Sequence, residues 1–185
     1  MQLKLLILDF DGTLADTRRA NAAAYIAALK EVGYTLTEEE YLGRYFGMRC
    51  PEFMRSIGFR SPEEIDRLRR RKIELYPAFF SSVKLNRPLW EFSQQFRAQG
   101  GKVWIVSTGQ PDNLRNAMRY LGLEGGFDGL LTGDDVVRHK PAPDAFLEAM
   151  SRAGCQSGET LIFEDSAVGI EAARLSGAPY VVVKL

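Results

Sequence analysis

Asp9 and Asp11 stand two residues apart in Asp9-Phe10-Asp11-Gly12-Thr13, at the end of an apolar run that begins at Leu3. On a strand, residues i and i+2 point to one face. Two carboxylates so placed repel each other and require a cation or a shared proton. The C-terminal end of a central parallel strand is where open α/β sheets place their ligands. Taken alone, the segment is described equally well by an Asp-Gly turn after a strand, with Asp11 as a local cap.

Three later segments add to this pair. Ser107 closes the apolar run from Lys102 and opens Ser107-Thr108-Gly109, whose hydroxyl and loop amides could bind a phosphate oxygen. Lys140 opens Lys140-Pro141-Ala142-Pro143-Asp144, where two prolines stiffen the turn before a helix and could aim the ammonium at an anion. Glu164-Asp165 ends the run from Thr160, an acidic pair suited to a hard cation held by oxygen ligands. Each has an ordinary alternative on its own: a strand-end serine, a solvated loop lysine, a helix cap. Each of the four motifs is expected to end a strand, so parallel strands would bring all of them to one edge of a sheet. Two Asp, a Ser, a Lys and an acidic pair are what magnesium-assisted phosphoryl transfer requires.

The elements that must position them are legible as apolar runs. Leu3–Phe10, Lys102–Ser107, Gly129–Thr132, Thr160–Phe163 and Tyr180–Val183 read as strands of a buried parallel sheet. Helical patterns lie between the later ones. They cover Pro88–Gln99, Pro111–Leu121 with its stop at Gly122, Pro143–Ala153, and Ala167–Leu175 with Ser166 as cap and Gly177 beyond. This alternation predicts right-handed βαβ units and a Rossmann-like α/β core. Residues 16–85 break it. They read as helices over Arg18–Glu31, Thr37–Tyr45 and Ser61–Tyr76, the last two opening with the capping-box pairs Thr37/Glu40 and Ser61/Glu64. About 70 residues are too many for one crossover, so they are expected to form an inserted α-helical cap domain, with the core built from 1–15 and 86–185.

The bulk composition narrows the class. The 185 residues carry 24 Lys and Arg against 24 Asp and Glu, so there is no broad basic field for nucleic acid or an anionic membrane. No apolar run approaches the roughly 18 residues of a membrane span. The N-terminal run is too short for a signal peptide and is cut by Asp9. Cys50 and Cys155 form no CxxC pattern, which argues against a zinc site or a disulfide framework and fits a reducing cytoplasm.

In order, DFDGT, a hydrophobic run into STG, KPAPD and FEDSAVGIEAAR resemble the four motifs of the haloacid dehalogenase-like superfamily. The likeness spans nearly the whole chain. It is greatest to the subgroup with a helical cap after the first motif, which includes phosphoglycolate phosphatase-like and β-phosphoglucomutase-like proteins. The resemblance implies hydrolysis of a small phosphomonoester metabolite through an aspartyl-phosphate. It makes Asp9 the nucleophile and Asp11 the acid for the leaving oxygen, then the base for water. Ser107 and Lys140 would hold the transferring group. Mg2+ would be bound by the Asp9 carboxylate, the Asp11 backbone carbonyl and Asp165, with Glu164 touching the metal or its ligands. Relatives that cleave carbon–halogen bonds lack the second aspartate, so Asp11 argues against dehalogenation. Thr108 stands where this subgroup often has Asn; with Gly109 it is expected beside the substrate.

Other features carry less. Arg49, in the loop Phe46-Gly47-Met48-Arg49 between two cap helices, could bind an anionic or hydroxylated end of the substrate; an exposed turn arginine is the alternative. The basic cluster Arg67, Arg69, Arg70, Arg71 and Lys72 reads as a solvated helix face paired with Glu63, Glu64 and Asp66. His139 is expected in a loop. Asp16 and Thr17 would form a hinge or cap the next helix. A phosphomutase using the same residues is the competing enzyme reading, and a non-catalytic phosphometabolite-binding protein the competing reading of another class. The last strand is expected at the sheet edge, covered by a loop or helix or by a weak dimer contact; a monomer or weak homodimer is the expected state.

Overall fold

The computed structural model describes residues 2–185. In chain order the elements are β1 (Leu5–Leu8), β2 (Ala15–Asp16), α1 (Arg18–Lys30), α2 (Glu38–Arg44), α3 (Cys50–Ser56) and α4 (Pro62–Leu75). A 3-10 turn over Tyr76–Ser82 follows, then β3 (Lys84–Leu85), α5 (Arg87–Ala98), β4 (Lys102–Val106), α6 (Pro111–Tyr120) and β5 (Gly129–Leu131). The chain closes with α7 (Asp144–Ala153), a second short 3-10 turn, β6 (Thr160–Glu164), α8 (Ala167–Ser176) and β7 (Tyr180–Val182). Two compact units result: the chain up to Asp16 together with Lys84–Leu185, and Thr17–Val83.

The first unit is a five-stranded parallel sheet in the order β5-β4-β1-β6-β7. Each crossover carries a helix, as parallel neighbours require. β1 is the central strand and all four of its residues are fully buried, which explains its unbroken Leu-Leu-Ile-Leu sequence. On one face Leu5, Ile7, Trp104, Val106 and Ile162 pack beneath Phe146, Ala149 and Met150 of α7 and Ala172 and Ala173 of α8. The strands are shorter than their apolar runs because the polar ends turn away to form loops. β7 lies at the edge, and Val181 and Val182 remain 41% and 45% exposed, so no helix or loop among the described residues covers them. β2 and β3, the two stubs where the chain leaves and re-enters this unit, pair antiparallel; at two residues each they leave no periodicity in the sequence.

The second unit is a helical bundle around Tyr25, Leu29, Tyr41, Phe53, Met54, Ile65 and Leu68. Thr37 and Ser61 accept the amides of Glu40 and Glu64 and cap α2 and α4. Thr17 stands at the N-cap of α1 without a side-chain capping bond. Helix α3 went unread in the sequence because seven residues between Gly47 and Gly58 are too few to show a period. Its Phe53 and Met54 are nonetheless buried at 1% and 0% exposure.

The basic run of α4 divides. Arg69 and Arg70 pair with Asp66, Arg71 with Glu31 and Glu74, and Arg67 with Glu64, as a solvated face should. Lys72 does not belong to that face. It is 3% exposed, continues the buried Ile65–Leu68 stripe, donates to Asn21 Oδ1 at 2.6 Å and lies 4.0 Å from the Tyr76 ring centroid.

Candidate active site

Asp9 follows β1 directly and stays in the sheet ladder, its amide donating to the Phe163 carbonyl at 3.0 Å. Its carboxylate is buried. Phe10, at 1% exposure, takes the opposite face, so Asp11 returns to the side of Asp9. The chain then reverses through Gly12, whose φ of +95° a side chain rarely adopts. A Cβ there would stand 2.1 Å from Asp165 Oδ2, so the turn requires glycine for space as well. β4 lies beside β1 and brings Ser107 to the same end, where its hydroxyl donates to Asp11 Oδ2 at 3.3 Å. The Gly109 amide donates to Ser107 Oγ at 2.9 Å and so fixes that hydroxyl rather than standing free. Thr108 is half-buried, and its carbonyl would lie 2.6 Å from a Cβ on Gly133.

Lys140 does not end a strand. It arrives from the long loop between β5 and α7, where Asp135 accepts from the Thr132 amide (2.7 Å) and hydroxyl (2.8 Å) and Arg138 pairs with Asp144 at 2.9 Å. The preceding His139 lies in this loop, its carbonyl accepting the Ala142 amide at 2.8 Å. The Lys140 side chain is 3% exposed, and its Nζ stands 2.6 Å from both Asp9 Oδ1 and Glu164 Oε1. The Phe146 ring lies 5.0 Å away beneath it. Burial works against the ammonium, but the Asp9 and Glu164 charges outweigh it and hold Lys140 above the ordinary lysine value. Asp9 is pushed well above the carboxylate range by burial and by the Glu164 charge, with Lys140 pulling the other way. The ammonium stands between two buried carboxylates and offsets charge on both.

Glu164 ends β6 and folds under the start of α8. Its Oε2 accepts the amides of Asp165 (2.7 Å) and Ser166 (2.8 Å) and the Ser166 hydroxyl (3.1 Å), a natural anion position. Gly169 makes room: a Cβ there would lie 1.7 Å from Glu164 Oε1. Asp165, half-buried, accepts from Thr13 Oγ1 at 2.9 Å. Burial raises Asp165 above the ordinary carboxylate value.

Asp9, Glu164 and Asp165 offer oxygen atoms that all lie within 4.8 Å of one another. Three carboxylates face one ammonium, and the donors are all oxygen, so the set fits a hard divalent cation. The Asp11 carboxylate is not in that set and meets the Ser107 hydroxyl instead.

Arg49 lies in the helical unit, half-buried at the N-cap of α3. Sequence reasoning gives no role to Thr13 or Gly169 and places Lys72 on a solvated face, whereas it is buried. The signals were a threonine inside the first motif, a glycine three residues into a helix, and a lysine on an apolar stripe.

A family model described as haloacid dehalogenase-like hydrolase matches residues 6–183. Protein CbbY of Cupriavidus necator is 33% identical over 97% of this chain and 78% of its own. Fructose-1-phosphate phosphatase YqaB of Escherichia coli is 30% identical over 97% of this chain and 96% of its own. A crystal structure of CbbY from Rhodobacter sphaeroides in complex with xylulose-(1,5)bisphosphate superimposes with a TM-score of 0.89 at 22% identity, covering 100% of this chain and 87% of that one.

Proposed function

Because the chain belongs to the haloacid dehalogenase-like hydrolase family, we propose that it is a phosphatase that hydrolyses a small phosphomonoester, with Asp9 as nucleophile. The observation that carries this reading is the buried Lys140 ammonium, 2.6 Å from both Asp9 and Glu164, beside Asp11 and Ser107 at one end of the sheet.

In the first step an Asp9 carboxylate oxygen attacks phosphorus and the ester P–O bond breaks. Asp11 gives its proton to the leaving oxygen, and an aspartyl-phosphate remains. In the second step water attacks phosphorus, Asp11 takes the water's proton, and the P–O bond to Asp9 breaks to release phosphate. Lys140 and Ser107 hold the phosphoryl oxygens throughout. Lys140 also lowers the repulsion between an anionic nucleophile and an anionic substrate. Asp9, Asp165, the Asp11 carbonyl and Glu164 would hold Mg2+. That ion, when bound, offsets charge on the phosphoryl oxygens. Gly109 fixes Ser107, and Thr108 adjoins the substrate. Arg49 remains a candidate to bind an anionic or hydroxylated group of the substrate. Two relatives' names point to sugar phosphates as the first class to try. The free cysteines Cys50 and Cys155 fit a reducing cytoplasm, and no helix among the described residues is long and apolar enough to cross a membrane.

The test is phosphate release from a panel of phosphorylated sugars and other small metabolites, in Mg2+, after EDTA, and with Ca2+ in place of Mg2+. Turnover of at least one ester that EDTA abolishes, Mg2+ restores and Ca2+ supports poorly is expected. Full activity after exhaustive chelation would refute the metal assignment, and no turnover of any ester would refute the reading.

A further inference from the structure

The turn that carries Asp11 has two of its backbone carbonyls received by one distant residue. Within the turn the Leu14 amide donates to the carbonyls of Asp9 (3.2 Å) and Phe10 (3.1 Å), the Ala15 amide to Phe10 (2.9 Å), and the Gly12 amide to Ala15 (2.8 Å). The carbonyls of Thr13 and Leu14 are both received by Asn86, far along the chain. Its backbone amide donates to Leu14 at 2.8 Å, and its Nδ2 donates to Thr13 at 3.1 Å. Its Oδ1 accepts the Leu89 amide at 3.3 Å and so caps α5, whose Leu89 and Ser93 are buried. Asn86 thus joins a packed helix to the turn. It also directly follows β3, whose ladder with β2 pairs Leu85 with Ala15 and Lys84 with Asp16.

The turn carries much of the site. Asp11 meets Ser107 at 3.3 Å, and Thr13 Oγ1 meets Asp165 at 2.9 Å. Gly12 leaves Asp165 no slack, since a Cβ there would stand 2.1 Å from its Oδ2. A shift of the Thr13 peptide by a few tenths of an ångström therefore disturbs the acid on one side and a metal-binding carboxylate on the other.

We propose that Asn86 is a positioning residue of the active site: its Nδ2 bond to the Thr13 carbonyl keeps Asp11 against Ser107 and the Thr13 hydroxyl on Asp165. The catalytic consequence rests on the phosphatase reading above. The effect on the turn and on Mg2+ affinity does not.

Asn86→Asp and Asn86→Ser separate this role from capping. Asp, Ser and Asn are comparable N-caps, so α5 keeps its acceptor. A carboxylate has no proton to donate to Thr13, and the shorter serine does not reach it while capping Leu89. In the full chain, both variants should melt within a few degrees of the parent. Exchange of the Gly12 and Leu14 amides, read by NMR, should rise about tenfold, and Mg2+ binding by calorimetry should weaken several-fold. On an ester that the parent turns over, kcat should fall about tenfold with KM within about twofold. Agreement of both variants distinguishes lost donation from the negative charge that Asp adds. Parental exchange, Mg2+ affinity and kcat in the serine variant would overturn the proposal. So would loss of melting temperature in both variants with no change in exchange at the turn, since that is a helix-cap effect. If the parent releases no phosphate from any ester, the function reading fails alone, and exchange and Mg2+ affinity still decide the role of Asn86.

Discussion

Lys140 and Glu164 form a buried ion pair at 2.6 Å, and the same ammonium stands 2.6 Å from Asp9. Glu164 in turn is pinned by two amides and a hydroxyl at the start of α8. The Asp9 carboxylate is therefore oriented by a chain of charge-assisted bonds that begins at a helix terminus.

Asp9→Asn tests the end of that chain. The amide is nearly isosteric, still accepts from Lys140 through its oxygen, and is a poor nucleophile. Phosphatase activity in Mg2+ should fall below a few per cent of the parent while the far-ultraviolet circular dichroism is unchanged. Residual activity above that level would remove Asp9 from the nucleophile's role.

Gly169→Ala tests the pocket beneath Glu164. The added methyl would begin 1.7 Å from Oε1, so the carboxylate must leave the helix terminus and release Lys140. Overpacking of this kind costs roughly 1–3 kcal/mol. The variant should melt several degrees lower and lose at least about tenfold in kcat, because a carboxylate displaced by about 1 Å no longer aims the ammonium. A variant with parental melting temperature and kcat would show that Glu164 has room elsewhere.

Asp165→Asn carries a pH signature. Burial holds the Asp165 carboxyl above its unfolded value, with the Glu164 charge adding to this and the Thr13 bond opposing it. A raised acid contributes stability that is full below the unfolded pKa, near about 3.9, and is lost as pH rises through the folded value. At pH 7 the metal-free protein therefore bears the cost of an ionised Asp165. Asn keeps the Thr13 bond without the charge. Metal-free Asp165→Asn should melt a few degrees above the metal-free parent at pH 7, the gap closing near pH 4. The parent's rise in melting temperature with Mg2+ should be largely absent in the variant. Calorimetric scans at both pH values, with and without Mg2+, check each part.

The edge strand β7 makes the last prediction. The Val183 amide donates inward to the Glu164 carbonyl at 2.8 Å, so strand alternation turns the Val182 amide outward. Val181 and Val182 are β-branched and largely exposed. Open edges of this kind pair with a second chain. Exchange at Val182 should be fast at low protein concentration and slow as concentration rises, in step with a dimer seen by sedimentation. Fast exchange at every concentration, with a monomer throughout, would show that the edge stays open.

The sheet, its helices and the four motifs were legible in the sequence because each is a local pattern. An apolar run fills a strand buried on both faces, and Asp9 and Asp11 share a face by alternation within three residues. Ser166 and Gly177 mark the ends of α8 by chemistry that acts within one helical turn. The tertiary structure decided what those residues touch. β1 lies between β4 and β6, so Asp9 donates to Phe163 of β6 while Asp11 meets Ser107 just after β4, a pairing that no local preference encodes. Lys140 reaches Asp9 across 131 positions, and Thr13 reaches Asp165 across 152. Lys72 looked like one more surface cation until packing of α1 and α4 closed around it. Seven-residue α3 and the two-residue strands β2 and β3 stayed hidden because helices and ladders so short gain their stability from packing and pairing, not from intrinsic propensity. Backbone preference acts over a few residues and is readable there, whereas contacts at long separation exist only once the whole core has closed.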